Sequence, residues 1–99
     1  MGWAYFVPMN KENPQGNIVG PEELAMRRAI GAALEHWLQR AGLTQTAAAA
    51  VLGTTQARVS EIKHGKTAHF SLDLLVRLAA RAGLEPTLSL TMPSVDRAP

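Results

Sequence analysis

Four polar side chains, Gln56, Arg58, Ser60 and Lys63, recur within the stretch TTQARVSEIKHGK, Thr54 to Lys66. Val59 and Ile62, three apart, are its apolar pair and define the inner face of a short helix. Gln56, Ala57, Arg58, Ser60, Glu61 and Lys63 are then left outward for a partner. A glutamine amide can bond two edge atoms of adenine, and a guanidinium two of guanine. An alanine methyl can touch the methyl of thymine. Each good bidentate pair is worth about 1–3 kcal/mol of discrimination between bases. Thr44, Gln45 and Thr55 stand at expected helix starts, where unpaired amides and the helix dipole attract phosphate. Lys63 and Lys66, with Thr67 or His69, can grip the phosphate backbone, adding affinity and salt dependence without sequence choice.

The charge distribution agrees with that chemistry. The net charge of the 99 residues is only +2, too small to name a partner. Between Arg40 and Phe70, however, Arg40, Arg58, Lys63 and Lys66, joined by His64 and His69, face a single acid, Glu61. Glu61 can accept from a cytosine amino group, repel wrong registers, or pair with Lys63 or Arg58 at the surface.

Other chemistries find little support. The chain has no cysteine, which excludes disulfides, thiolate catalysis and Cys-ligated zinc. His64 and His69 lie five apart without nearby carboxylates or thiols, so surface or capping roles are expected and no metal or other cofactor is. The acids are scattered singly, no Gly-rich phosphate loop occurs, and Ser60 and Ser71 have structural places, so the protein is not expected to be an enzyme. No apolar run approaches the roughly 20 residues of a membrane span, and WAYFV, Trp3 to Val7, is too short and lacks the basic flank of a signal peptide. A cytoplasmic protein without membrane contact is expected.

The elements that must position these residues follow from helical periodicity and its punctuation. An alanine- and leucine-rich chain of this length suits one helical domain, which buries somewhat more than about 60 % of its unfolded surface. Residues 1–20 hold Pro8, Asn10, Asn13, Pro14, Gly16, Asn17 and Gly20, a turn-rich arm expected to be flexible. A helix over about 22–41 opens at Pro21, Glu22 and Glu23. It carries a stripe of Ile30, Leu34, Trp37, Leu38 and Ala41 opposite Arg27, Arg28, Glu35 and Gln39. RAGL occurs twice, at Arg40 to Leu43 and Arg81 to Leu84. Each copy fits a helix end in which Gly turns left-handed and the following Leu packs back. Thr44, Thr55 and Ser71 cap helices over 45–52, 56–64 and 72–82, the last with Leu72, Leu75, Leu78, Ala79 and Ala82 inward. Thr87, Leu88, Ser89, Leu90, Thr91 and Met92 alternate polar and apolar, the pattern of a half-buried strand, ended by Pro93. That strand needs a pairing partner, and the same strand of a second molecule is favoured over the arm around Tyr5 to Val7.

The fold class is therefore mainly α: a bundle of four or five helices over 21–84, plus a dimerisation strand over 85–93 and a frayed tail over 94–99. The run Ala47 to Ala50 gains a purpose in this scheme. The helix carrying Val59 and Ile62 must cross the preceding one at close range, so Ala49 and Gly53 are small where the two meet, and Ala48 faces the core. Ala47 and Ala50 are helix formers on an outer face.

From Gly42 to Leu84, GLTQTAAAAVLGTTQARVSEIKHGK followed by FSLDLLVRLAARAGL resembles the helix-turn-helix domain of the Xre and Cro/phage-repressor family. The resemblance implies that the residue matching Gln45 fixes the first helix to phosphate, while those matching Gln56, Arg58 and Ser60 project toward bases. The ending RVSEIKHGK, the FSLD helix start and the C-terminal strand are most similar to HigA-type antitoxins. Those are paired with ribosome-dependent messenger RNA endonuclease toxins and repress their own operons as dimers. Ala47, Ala48 and Ala50 replace acidic or larger residues of that group, and Ala57 replaces a common Pro. The expected function is a homodimeric repressor on palindromic operator DNA, its recognition helices about 34 Å apart, with a cognate toxin as second partner. Two other roles share the same features: a module that only sequesters a toxin, and a stand-alone phage or mobile-element regulator.

Overall fold

The computed structural model describes residues 19–93. Of the four helices among them, three begin on a hydroxyl. Thr44, Thr55 and Ser71 sit in extended backbone and accept hydrogen bonds from the amides of Ala47 (3.1 Å), Arg58 (3.2 Å) and Leu74 (3.3 Å). Each bond satisfies an amide that a helix start leaves unpaired, and such caps contribute about 1 kcal/mol apiece. The helices that follow are α2 (Gln45–Leu52), α3 (Gln56–Lys63) and α4 (Leu72–Arg81). The first, α1 (Pro21–Ala41), has no side-chain cap at Gly20. Its start rests on Pro21 in the first turn and on Glu22 and Glu23 at the positive end of the dipole.

Helix ends fall within one residue of the expected ones, with His64 and Ala82 serving as caps. The second RAGL closes α4 as expected. Gly83, at φ +85°, and Leu84 donate back to Ala80 and Ala79 at 3.1 and 3.0 Å, and Leu84 packs on the core. The first copy closes α1 through a left-handed Gly42, but Leu43 stays 38 % exposed and does not pack back.

The core lies where α1 crosses α3 and α4, and α2 crosses the same two helices. Leu34, Ala48, Val59, Ile62 and Leu75 are fully enclosed, with Leu52, Phe70, Leu78 and Ala79 nearly so. Ile30, Trp37 and Leu38 pack against them from α1. Each large side chain so buried contributes about 1.5–3 kcal/mol relative to exposure. The alanine run divides much as its periodicity implies: Ala48 and Ala49 are buried, Ala50 is exposed, and Ala47 is half-buried rather than fully outside.

Two expectations are corrected here. Thr87, Leu88, Ser89, Leu90, Thr91 and Met92 form no strand, and no strand occurs among the described residues. Alternation marks a segment that could pair, but no other described segment of this chain is extended beside it. Arg27, expected on the solvated face of α1, has a side chain only 17 % exposed. It holds Glu23 through Nε and Nη2 (3.1 and 2.8 Å) and reaches the Ala68 carbonyl at 3.5 Å. Of the arm expected over 1–20, residues 1–18 lie outside the described residues, as does the tail expected over 94–99.

Candidate nucleic-acid interface

Crossing α2 and α3 at close range requires small side chains on one helix and a tight turn between them. Ala48 and Ala49 supply the first, against Val59 and Ile62. Gly53, at φ +65°, supplies the second. Its amide and that of Thr54 donate back to Ala50 and Ala49 at 3.3 and 3.0 Å. With Val59 and Ile62 turned fully inward, the opposite face of α3 is free. Gln56, Ala57, Arg58 and Lys63 are exposed there, while Ser60 and Glu61 are half-buried.

The remaining site residues lie at helix starts and in the loop after α3. Thr44 and Thr55 are exposed at the starts of α2 and α3, their oxygens accepting the capping bonds, so their hydroxyl protons remain available to a phosphate. Gln45 opens α2 half-buried, and Lys66 is exposed in the loop after α3. Neither lysine meets a carboxylate among the described residues. Glu61 pairs with neither Lys63 nor Arg58. Its Oε2 lies 3.2 Å from His69 Nε2, an ion pair whenever that ring is protonated. His69 also sits edge-on to Phe70, and His64 Nδ1 lies 2.8 Å from the Ser60 carbonyl, so both histidines have local structural partners. The segment Thr87 to Met92 is not part of this group; Thr87 to Ser89 line an apolar groove of about 500 Å3 with Met26, Ile30, Leu72 and Val76 of α1 and α4.

A contact that the sequence reading missed sets the loop carrying Lys66. Gly31 is buried in the middle of α1, and a Cβ there would lie 2.5 Å from Thr67 Oγ1. The Thr67 hydroxyl can therefore lie directly on α1 only because position 31 has no side chain. Arg27 bonding to Ala68 holds the same loop from one turn earlier. The signal was present: an isolated glycine inside a helical pattern costs about 1 kcal/mol relative to alanine, and such a position usually has a packing reason.

The chain belongs to a helix-turn-helix domain family, whose model matches residues 18–91. Neither a curated protein nor a solved structure gives a significant match. Such a domain points to DNA binding and regulation. Among the described residues no helix is long and apolar enough to cross a membrane.

Gly31→Ala tests the loop seat. In open space the change would stabilise a helix interior by about 1 kcal/mol. Here a lower melting temperature is expected, with overpacking of about 1–3 kcal/mol outweighing that gain. Adding Thr67→Ala should recover the loss. A single variant more stable than the parent would show that the loop does not depend on this contact.

Proposed function

We propose that the protein is a sequence-specific transcriptional repressor that binds operator DNA as a homodimer through α3, and that it is the antitoxin of a toxin–antitoxin pair. The observation that carries the DNA reading is the division of α3. Val59 and Ile62 are fully buried, and the exposed start of α3 before them presents an amide, a methyl and a guanidinium within three consecutive residues, Gln56, Ala57 and Arg58. That set can bond and touch base edges in a major groove. Lys63, Lys66, Thr44, Gln45 and Thr55 flank it with groups suited to phosphate. The antitoxin reading rests on the likeness of RVSEIKHGK and FSLD to HigA-type proteins.

A second surface supports partners of protein chemistry. Met26, Val76, Leu88, Leu90 and Met92 are all exposed, the last three at 69, 78 and 82 %. No backbone hydrogen bond engages residues 85–93 among the described residues. Apolar side chains and unpaired backbone in one segment favour association. In the proposed dimer this segment and the groove beside it meet those of a second copy, which would bring two α3 helices to successive major grooves.

Three measurements test these statements. In mobility shifts with the DNA upstream of its own gene, Gln56→Ala is expected to weaken operator binding by about 1–3 kcal/mol, leaving unrelated DNA unaffected. Lys66→Ala should weaken both alike and lower the salt slope by about 1. Absence of any shift for the parent at modest salt would remove the repressor. Light scattering should give a dimer for the parent and a monomer for Leu88→Asp combined with Leu90→Asp, and a dimer persisting in that variant would refute the interface. Expressed with the product of an adjacent reading frame, the chain should relieve that product's growth arrest. If it neither binds nor relieves, a stand-alone regulator remains.

A further inference from the structure

We propose that the cleft between the α2–α3 turn and α4 is a phosphate-binding site formed by Arg58, Arg77 and Arg81. The cleft, of about 190 Å3, is bounded by Gly53 and Thr54 of the turn, by Arg58 of α3, and by α4 from Leu74 to Arg81. Three arginines line it and no acidic residue does. Asp73 lies outside the lining and holds Arg77 Nη1 at 2.9 Å, an exposed pair that offsets one charge. Arg58 and Arg81 meet no carboxylate among the described residues. Cations gathered in this way repel one another, and an anion placed among them relieves the repulsion. The planar fork of arginine matches two oxygens of a phosphate at once, which a lysine cannot do.

Two details indicate that this is a seat and not a chance meeting of long side chains. A Cβ at Gly53 would collide with the Arg81 guanidinium, so the bare turn is what lets that head group lie against it. Gly53 thus answers to two demands, the left-handed turn and the seat for Arg81. Thr54, on the same wall, carries the one side-chain oxygen that is buried without a hydrogen-bond partner among the described residues. That oxygen has almost no accessible surface, so it would meet an anion in the cleft only after the side chain turned about its Cα–Cβ bond. Leu52, Leu74 and Leu78 complete the lining.

The phosphate can come from the DNA backbone or from solution. In the first case the inference deepens the proposed DNA binding and rests on it. Arg58 then holds the backbone, and base contacts fall to Gln56 and Ala57.

The full chain tests both sources. Amide signals of Gly53 and Thr54 are followed by NMR during titration with sodium phosphate against sodium chloride at matched ionic strength. DNA affinity is measured across salt for the parent, Arg81→Gln, Arg58→Gln and Arg81→Lys, each with a thermal melt to establish folding. If the cleft takes a backbone phosphate, Arg81→Gln and Arg58→Gln each lower the salt slope by about 1 and weaken operator and unrelated DNA equally; Arg81→Lys keeps the slope but not the full affinity. If it takes a free phosphate, phosphate shifts both amides in the parent and not in Arg81→Gln, and the DNA affinity of Arg81→Gln is unchanged. A parent that binds no DNA defeats the repressor reading, and the phosphate titration then decides the cleft alone. DNA binding with unaltered slopes in the variants, together with no phosphate-specific shift at Gly53 and Thr54, overturns the proposal.

Discussion

The close crossing of α2 and α3 is the constraint on which the rest of the molecule depends. Ala48 and Ala49 are buried where Val59 and Ile62 press in from the second helix. A larger side chain at Ala48, which has no exposed surface, would have to push α3 outward or open the core that Leu34 and Leu75 complete. Interiors are packed too densely to absorb such a change without backbone movement. The position of the exposed face of α3 is therefore set by side chains that are nearly absent. The same feature limits stability, because alanines contribute little apolar area and the aromatic in the innermost core is Phe70 from a loop.

Electrostatics separates structural charges from available ones. Glu23 with Arg27 and Asp73 with Arg77 are pairs one turn apart on their helices, and Glu61 faces His69. Such surface pairs contribute about 0–1 kcal/mol, so they organise side chains more than they stabilise the fold. The Asp73 carboxyl is held below its ordinary value, first by a hydrogen bond from the Ser71 hydroxyl and then by Arg77. A lowered carboxylate pKa favours the folded state above the unfolded value, and the benefit disappears as pH falls through the folded value. At neutral pH the start of α4 is thus both capped and charged. With those pairs formed, Arg58, Lys63, Lys66 and Arg81 carry the unpaired positive charge around α3 and its flanks, in agreement with the basic excess visible between Arg40 and Phe70.

What could be read from the sequence was what depends on near neighbours. Thr44, Thr55 and Ser71 bond amides three residues ahead, and Gly53 and Gly83 close turns whose partners lie within five, so the four helices were legible with their ends. The inward pair Val59 and Ile62 was legible for the same reason, since a three-residue spacing names one helix face. The segment from Thr87 to Met92 misled because alternation specifies a strand's faces but not a partner. Gly31 beneath Thr67, Arg27 reaching Ala68 and Arg81 against Gly53 were illegible because each joins residues about 30 to 40 positions apart in the chain. Long-range proximity of that kind follows from the packing of helices, not from the pattern within one.

In the proposed DNA contact, these distant contacts would act through the loop between α3 and α4. Its first turn closes on α3 through the Lys66 amide, which donates to the Glu61 carbonyl at 2.8 Å. Thr67 then rests over Gly31, Arg27 holds Ala68, and Phe70 drives into the core. Lys66 itself stays exposed between these anchors. A lysine on a free loop would lose backbone as well as side-chain entropy when it met a phosphate, whereas here the backbone is ordered before any partner arrives. Preorganisation of this kind raises affinity by removing a cost of binding, without adding a contact. The glycine in α1 weakens its own helix by roughly 1 kcal/mol relative to alanine, and what that position provides in return is a fixed place for the charge beside α3.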